Sequence, residues 1–306
     1  MERFYPIGTP GEPWGDAEKQ QWLAERTIER SYRDDVINRL MALDGLFELS
    51  QYGALPLDED RYPLHAVTMK STDPDAPWAL ITGGVHGYET SGVHSALGFL
   101  ETAATSYQDR VNLLVAPCVS PWGYEVINRW NPNAIDPNRS FVEHSPAEES
   151  AMLMSIVAET GVDFLMHIDL HETTNTDESE FRPALAARDG EAFEPGLIPD
   201  GFYCVGDTDN PQPAFQAAII AGVEPVTHIA PPDSDGLIIG SEVTQHGVIN
   251  YPLRGWGLCP SITSARFTST TEVYPDSPSA TDEICNEAQI AAAAAALEFA
   301  LAHANA

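Results

Sequence analysis

Apolar residues recur at helical spacing over residues 16–43, at Trp22, Leu23, Ile28, Val36 and Leu40, and predict an amphipathic N-terminal helix. Short apolar runs bounded by turn residues follow at 62–69 and 78–81 and read as strands. Beyond them the pattern alternates. A helix is expected over 91–100, a buried strand over 111–116, a helix over 147–159 and a strand over 164–170. Residues 262–271 are rich in β-branched side chains, as strands are. The alanine-rich stretch 282–302 has high intrinsic helix propensity and needs no functional explanation. Strands interleaved with helices imply an α/β architecture.

No Gly/Ser-rich or Pro-rich linker divides the 306 residues into unlike halves, and no solenoid or propeller period recurs. One domain is therefore expected over 1–306, with residues 1–45 packed on it as a helical segment. The first residues show no basic stretch followed by an apolar one, and nowhere do about 18 apolar residues run together. The expectation is a soluble, cytoplasmic protein.

Charge narrows the partners. Fifteen basic against 46 acidic residues leave a net charge of −31, a field that repels phosphate backbones and anionic membrane surfaces. Neither nucleic acid nor membrane is expected as a partner, and a small molecule or peptide is. The four cysteines, Cys118, Cys204, Cys259 and Cys285, form no C-x-x-C pair and read as ordinary thiols.

The candidate chemistry starts at Gly83-Gly84-Val85-His86-Gly87-Tyr88-Glu89, between a predicted strand and a predicted helix. Groups at the carboxyl ends of strands in open α/β sheets converge on a crevice, so His86 and Glu89 can share one cation there. Alone, H-x-x-E is a common chance pattern. A third ligand gives it weight: His171 closes the strand-like 164–171, and two histidines with one carboxylate are a frequent catalytic zinc set. His167, His94 and His65 are rivals, and His167 reads as a core histidine within the same strand.

Between the ligands lie Pro117 and Gly123 in a turn, then Arg129, then Asp136-Pro137-Asn138-Arg139-Ser140-Phe141. In that order, and with the D-x-H of Asp169 to His171, these parts resemble the zinc metallocarboxypeptidase A family over about His86 to Glu272. The form D-x-N-R-x-F is also similar to the family's aspartoacylase and succinylglutamate desuccinylase branch. The resemblance implies a single-domain α/β/α sandwich around a mixed, largely parallel twisted sheet, and one zinc ion per chain held by His86, Glu89 and His171. It further implies that Asp136 orients the first histidine, a carboxylate–histidine–metal arrangement. Asn138 and Arg139 would clamp the substrate's terminal carboxylate, Arg139 through its planar fork. Arg129 would stabilise the oxyanion.

A general base is also needed, and Glu272, following the strand-like 262–271 and preceding the closing helix, occupies the family's context for it. Glu242 is the fallback. Tyr251 falls where carboxypeptidases keep a tyrosine that caps the substrate, and Arg254 lies in the neighbouring segment from which side-chain selectivity arises. Asp169 and Glu172 flank a ligand and serve either it or local backbone. The leading expectation is hydrolysis of the amide bond next to a free carboxylate, removing the C-terminal residue of a peptide. An N-acyl amino acid deacylase is the alternative; the 34 residues after Glu272 are mostly helix, where aspartoacylase-like enzymes append a β-rich domain. A non-catalytic zinc- or peptide-binding module is a third reading, which needs neither Arg129 nor Glu272.

Overall fold

The computed structural model describes residues 3–305. The single helix expected over 16–43 is instead two: α1 (Asp16–Ala24) and, after a π-helical turn at Arg33–Ile37, α2 (Asn38–Ala42). Between them the amides of Glu29 and Arg30 leave the helical ladder and donate to the Glu125 carbonyl at 2.8 and 3.2 Å. The Arg30 guanidinium donates to the carbonyls of Tyr124 and Tyr88 and to the Thr90 hydroxyl. These tertiary hydrogen bonds outweigh the modest helix propensity of the segment. Ile28, counted on the apolar face, is 55% exposed as a result.

The chain continues through β1 (Glu48–Ala54), β2 (Pro63–Met69), β3 (Trp78–Gly83), α3 (Thr90–Thr102), β4 (Asn112–Ala116), α4 (Pro121–Glu125), α5 (Glu148–Glu159) and β5 (Phe164–Glu172). It then forms α6 (Arg182–Asp189), β6 (Tyr203–Asp207), α7 (Pro213–Val223), a two-stranded ribbon of β7 (Leu237–Ile238) and β8 (Ser241–Glu242), β9 (Val248–Tyr251), β10 (Phe267–Val273) and α8 (Asp282–Ala302). Eight strands make one sheet in the order β1-β2-β4-β3-β5-β10-β6-β9. The four central strands, β4, β3, β5 and β10, are mutually parallel.

Helices cover both faces, and the alternation of the strands sorts the core accordingly. Ala79 and Ile81 of β3 pack with Val93, Ala96 and Leu97 of α3 and the buried alanine stripe of α8, whereas Leu80 packs with Leu153 and Val157 of α5. This is an α/β/α sandwich around a largely parallel sheet, as the resemblance implied. By length and composition α8 resembles a membrane span. Its Ala288, Ala292, Ala296 and Ala300 are fully buried within this core.

The expected strand at 262–271 starts later, because Cys259–Ile262 forms a 3-10 turn before β10. The polar interior of β10 is matched by buried amides: Ser269 Oγ donates to Gln216 Oε1 at 2.7 Å, and Thr271 Oγ1 to Gln289 Oε1 at 2.5 Å. Gln289 in turn donates to the His171 carbonyl at 2.6 Å, fastening α8 to the end of β5.

Candidate active site

From β3 the chain crosses to β4 on one side and later returns to β5 on the other, so the carboxyl ends of β3 and β5 flank a switch-point crevice. The turn between β3 and α3 delivers His86 and Glu89 into it. Gly87 makes this turn possible, since a Cβ there would lie 2.2 Å from the Tyr124 amide nitrogen and 2.3 Å from the Ser120 carbonyl. His171 arrives at the end of β5, and parallel pairing with β10 sets Glu272 directly beside it in register.

Three buried side chains meet here. Glu89 Oε1 lies 2.6 Å from His86 Nδ1, and Glu89 Oε2 lies 2.6 Å from His171 Nδ1. Donor atoms of all three fall within 4.8 Å of one another. The far nitrogens are engaged as well: His86 Nε2 is 3.0 Å from Asp136 Oδ1, and His171 Nε2 is 2.6 Å from Asp169 Oδ2. Thr82 Oγ1 donates to the other Asp169 oxygen at 2.6 Å. With Nε2–H given to a carboxylate on each ring, the network assigns the Nδ1 lone pairs to the side facing Glu89. Two lone pairs and a carboxylate aimed at one point repel unless a cation or protons lie between them. The donor set therefore fits a zinc ion.

Without a metal, protons fill that role. Burial disfavours charge on His171, yet Asp169 and Glu89 outweigh it and raise its pKa well above the ordinary histidine value. Burial likewise opposes the Glu89 carboxylate, but His171 and His86 lower its pKa below the usual range. Glu172, beside His171, accepts from the Thr90 and Ser91 amides at 3.2 and 2.6 Å and so caps the N-terminus of α3. Burial raises its carboxyl to about 7.

The remaining predicted residues surround this cluster. Arg129 Nε contacts Asp136 Oδ2 at 3.1 Å, and its Nη1 contacts Asp177 Oδ1 at 3.3 Å. Burial opposes its charge, but Asp136 and Asp177 keep it protonated. The Asn138 side chain is split: Oδ1 accepts from the Cys259 amide at 2.8 Å, and Nδ2 lies 3.4 Å from His171 Nε2. Arg139 donates to the Asn138 carbonyl at 2.7 Å, and among the described residues no carboxylate pairs with it. Glu272 Oε2 accepts from Thr173 Oγ1 at 3.0 Å, and burial raises its carboxyl to about 8. An inner cavity of about 100 Å³ is lined by His86, Glu89, Arg129, Asn138, Arg139, Glu272 and Tyr251, with Tyr203 and Leu258.

Other candidates lie elsewhere. Glu242 is exposed on the β7–β8 ribbon, and Arg254 is an exposed side chain that donates to the Ser261 carbonyl. His167 is fully buried, bonded to Thr82 and held neutral by burial with a pKa of about 4. His94 pairs with Arg39, and His65 is a buried β2 residue. Sequence reasoning missed Asp177, which anchors both Arg129 and the Tyr88 hydroxyl, the latter at 2.9 Å. It left Asp169 undecided, although the D-x-H spacing carried the signal.

Residues 59–160 match a family model described as zinc carboxypeptidase. No curated protein matches the sequence. Among solved structures, a candidate metallopeptidase from Shewanella denitrificans superposes with a TM-score of 0.62 at 20% identity, covering 88% of this chain and 89% of that one. A second, from Shewanella amazonensis, gives 0.62 and 20% over 90% and 98% of the two chains. A metallo-carboxypeptidase from Burkholderia cenocepacia gives 0.59 and 13% over 95% and 70%. The matched segment contains His86, Glu89, Arg129, Asp136, Asn138 and Arg139, and the shared fold extends around it. The match to the zinc carboxypeptidase model is confined to residues 59–160, and the likeness to these structures, at 20% identity or below, is a likeness of fold.

Proposed function

We propose that the protein cleaves the amide bond preceding a free carboxylate, removing the C-terminal residue of a peptide, with one zinc ion held by His86, Glu89 and His171. The observation carrying this reading is a single cavity that joins His86 and Glu89, two of the three convergent donors, to Glu272 and to Arg139, a cation with no carboxylate partner among the described residues. Zinc, when bound, supplies Lewis acidity toward the scissile carbonyl and toward water.

The side chains divide the remaining work. Arg139 takes the substrate's terminal carboxylate on its guanidinium fork, which fixes the scissile bond over the cluster. Asn138 Nδ2 offers a second donor at the same wall. Arg129, held from behind by Asp136 and Asp177, is preorganised toward the oxygen on which negative charge develops, a contribution on the order of 3 kcal/mol. Glu272 takes a proton from the attacking water and returns it to the leaving amine. Tyr251 closes over the bound residue from the rim.

Replacement Glu272→Gln tests the assignment. Turnover of a peptide with a free C-terminus should fall by a factor on the order of 10³, within the range of a lost general base, while zinc content measured by atomic absorption stays at one per chain. Loss of the metal in that variant would make Glu272 a ligand instead. Cleavage of N-acyl amino acids but not peptides would replace the peptidase reading with a deacylase.

A further inference from the structure

A larger cavity, about 640 Å³, adjoins the inner one and shares Arg129, Arg139, Asp177, Ile239 and Tyr251 with it. Its lining reverses the charge of the molecule. Five of the chain's fifteen basic side chains, Lys19, Arg129, Arg139, Arg182 and Arg188, face it, against the three carboxylates of Asp136, Asp177 and Asp189. The chain as a whole carries −31. An excess of positive charge gathered in one concave region of so acidic a protein focuses the local field toward anions.

The cations differ in how far they are neutralised. Arg129 is held between two carboxylates, Arg182 by Glu178 at 2.8 Å and Arg188 by Asp189 at 2.8 Å. Lys19, one of only two lysines in the chain, is half-buried on α1 and pairs with no carboxylate among the described residues. Arg188 lies 4.7 Å over the Trp130 ring and donates to the Ala134 carbonyl at 3.0 Å, which fixes its guanidinium at the cavity wall. Lys19, with no carboxylate partner, and Arg188, whose guanidinium is shared with Asp189, line one cavity and together offer a carboxylate two cations.

We propose that this outer cavity recognises an acidic side chain on the acyl side of the scissile bond, through Lys19 and Arg188, and that the substrates are peptides with Asp or Glu preceding the residue removed. The side assigned rests on the reading of Arg139 as anchor for the terminal carboxylate. Arg139 lines both cavities; with the carboxylate on its inner side, the released residue occupies the inner cavity of about 100 Å³ and the rest of the peptide runs through the outer one.

Isothermal titration of zinc-loaded Glu272→Gln protein with acetyl-Glu-Glu-Ala and acetyl-Gln-Gln-Ala at low ionic strength tests this without requiring turnover. The acidic peptide should bind about fivefold or more tightly than its amide twin, the scale of a partly exposed charge pair. Adding Lys19→Gln, a mild change on a surface helix, should reduce that ratio, and adding Arg188→Gln as well should bring it close to one. Equal affinities, or a ratio unmoved by both replacements, would overturn the inference. Cleavage of both peptides by the unsubstituted enzyme with equal affinities would remove only this inference. Selective binding of the acidic peptide with cleavage of neither would remove the hydrolytic reading and leave the acidic site standing.

Discussion

The two halves of the cleft are built on opposite principles. In the inner half the donor cluster is a closed network: Glu89 spans two histidines, each histidine leans on its own aspartate, and Asp169 is itself held by Thr82. Toward the outer half, Lys19 and Arg139, the latter on the wall shared by both cavities, are left without carboxylate partners among the described residues. The contrast follows from what each half must do. Buried polar groups cost 1–3 kcal/mol or so when unsatisfied, so a donor cluster is stable only as a closed network, whereas a recognition surface binds through groups that stay unpaired until the ligand arrives.

The sharpest break of this contrast is on the outer side. Replacing Arg139 with Ala should lower kcat/KM for a peptide with a free C-terminus by about a hundredfold, mostly through KM, and leave zinc content unchanged. A peptide amide, which lacks the carboxylate, should be hydrolysed equally slowly by both proteins. Equal losses on both substrates would show that Arg139 serves the cluster and not the carboxylate.

Asp169→Asn probes the inner side from behind. It keeps the shape but gives up the charge that holds His171 Nε2, and should weaken zinc affinity by roughly 10- to 100-fold in a competitive chelator titration, as lost partners of metal-binding histidines do. Undiminished affinity would show that β5 alone positions the ring.

Glu149 supplies the smallest and most remote comparison, a buried carboxyl outside the cleft. Its Oε1 has no partner and its Oε2 has only Asn131 Nδ2 at 3.3 Å. Burial raises its pKa from 4.5 to about 7. The folded state thus keeps a proton that the unfolded chain releases above pH 4.5, and this group's contribution is present at low pH and lost as pH rises through 7. Glu149→Gln should flatten the decline of stability between pH 5 and pH 7 by on the order of 1–2 kcal/mol in urea melts, and an unchanged slope would exclude the effect.

Much of the fold was legible because strands inside the sheet are buried on both faces and read as short apolar runs, as at 62–69, 78–81 and 111–116. The closing helix is found at 282–302 as read. The N-terminal helix was misread because Arg30 takes its partners from Tyr88, Thr90 and Tyr124, far along the chain, which no local periodicity reports. Strand β1 escaped notice as a half-exposed edge, and α7 as a short helix apolar nearly all round. In the site, residues tied to strand ends and short motifs were visible: His86, Glu89, Asp136, Asn138, Arg139, His171 and Glu272 come together in space. Asp177 and the outer cations Lys19 and Arg188 had no motif, since only the packing of α1 and α6 against the cleft brings them there.

The register that sets Glu272 beside His171 also has a meaning in time. The three donor residues leave the ribosome long before β10, the last of them, His171, about a hundred positions ahead of the proposed base, and a contact of that span closes late. A chain halted before β10 would contain all three donor residues but leave the β5 edge bare and Glu272 missing. Hydrolytic competence on the proposed reading arrives only with the last strand of the sheet, so an unfinished chain is idle toward its neighbours.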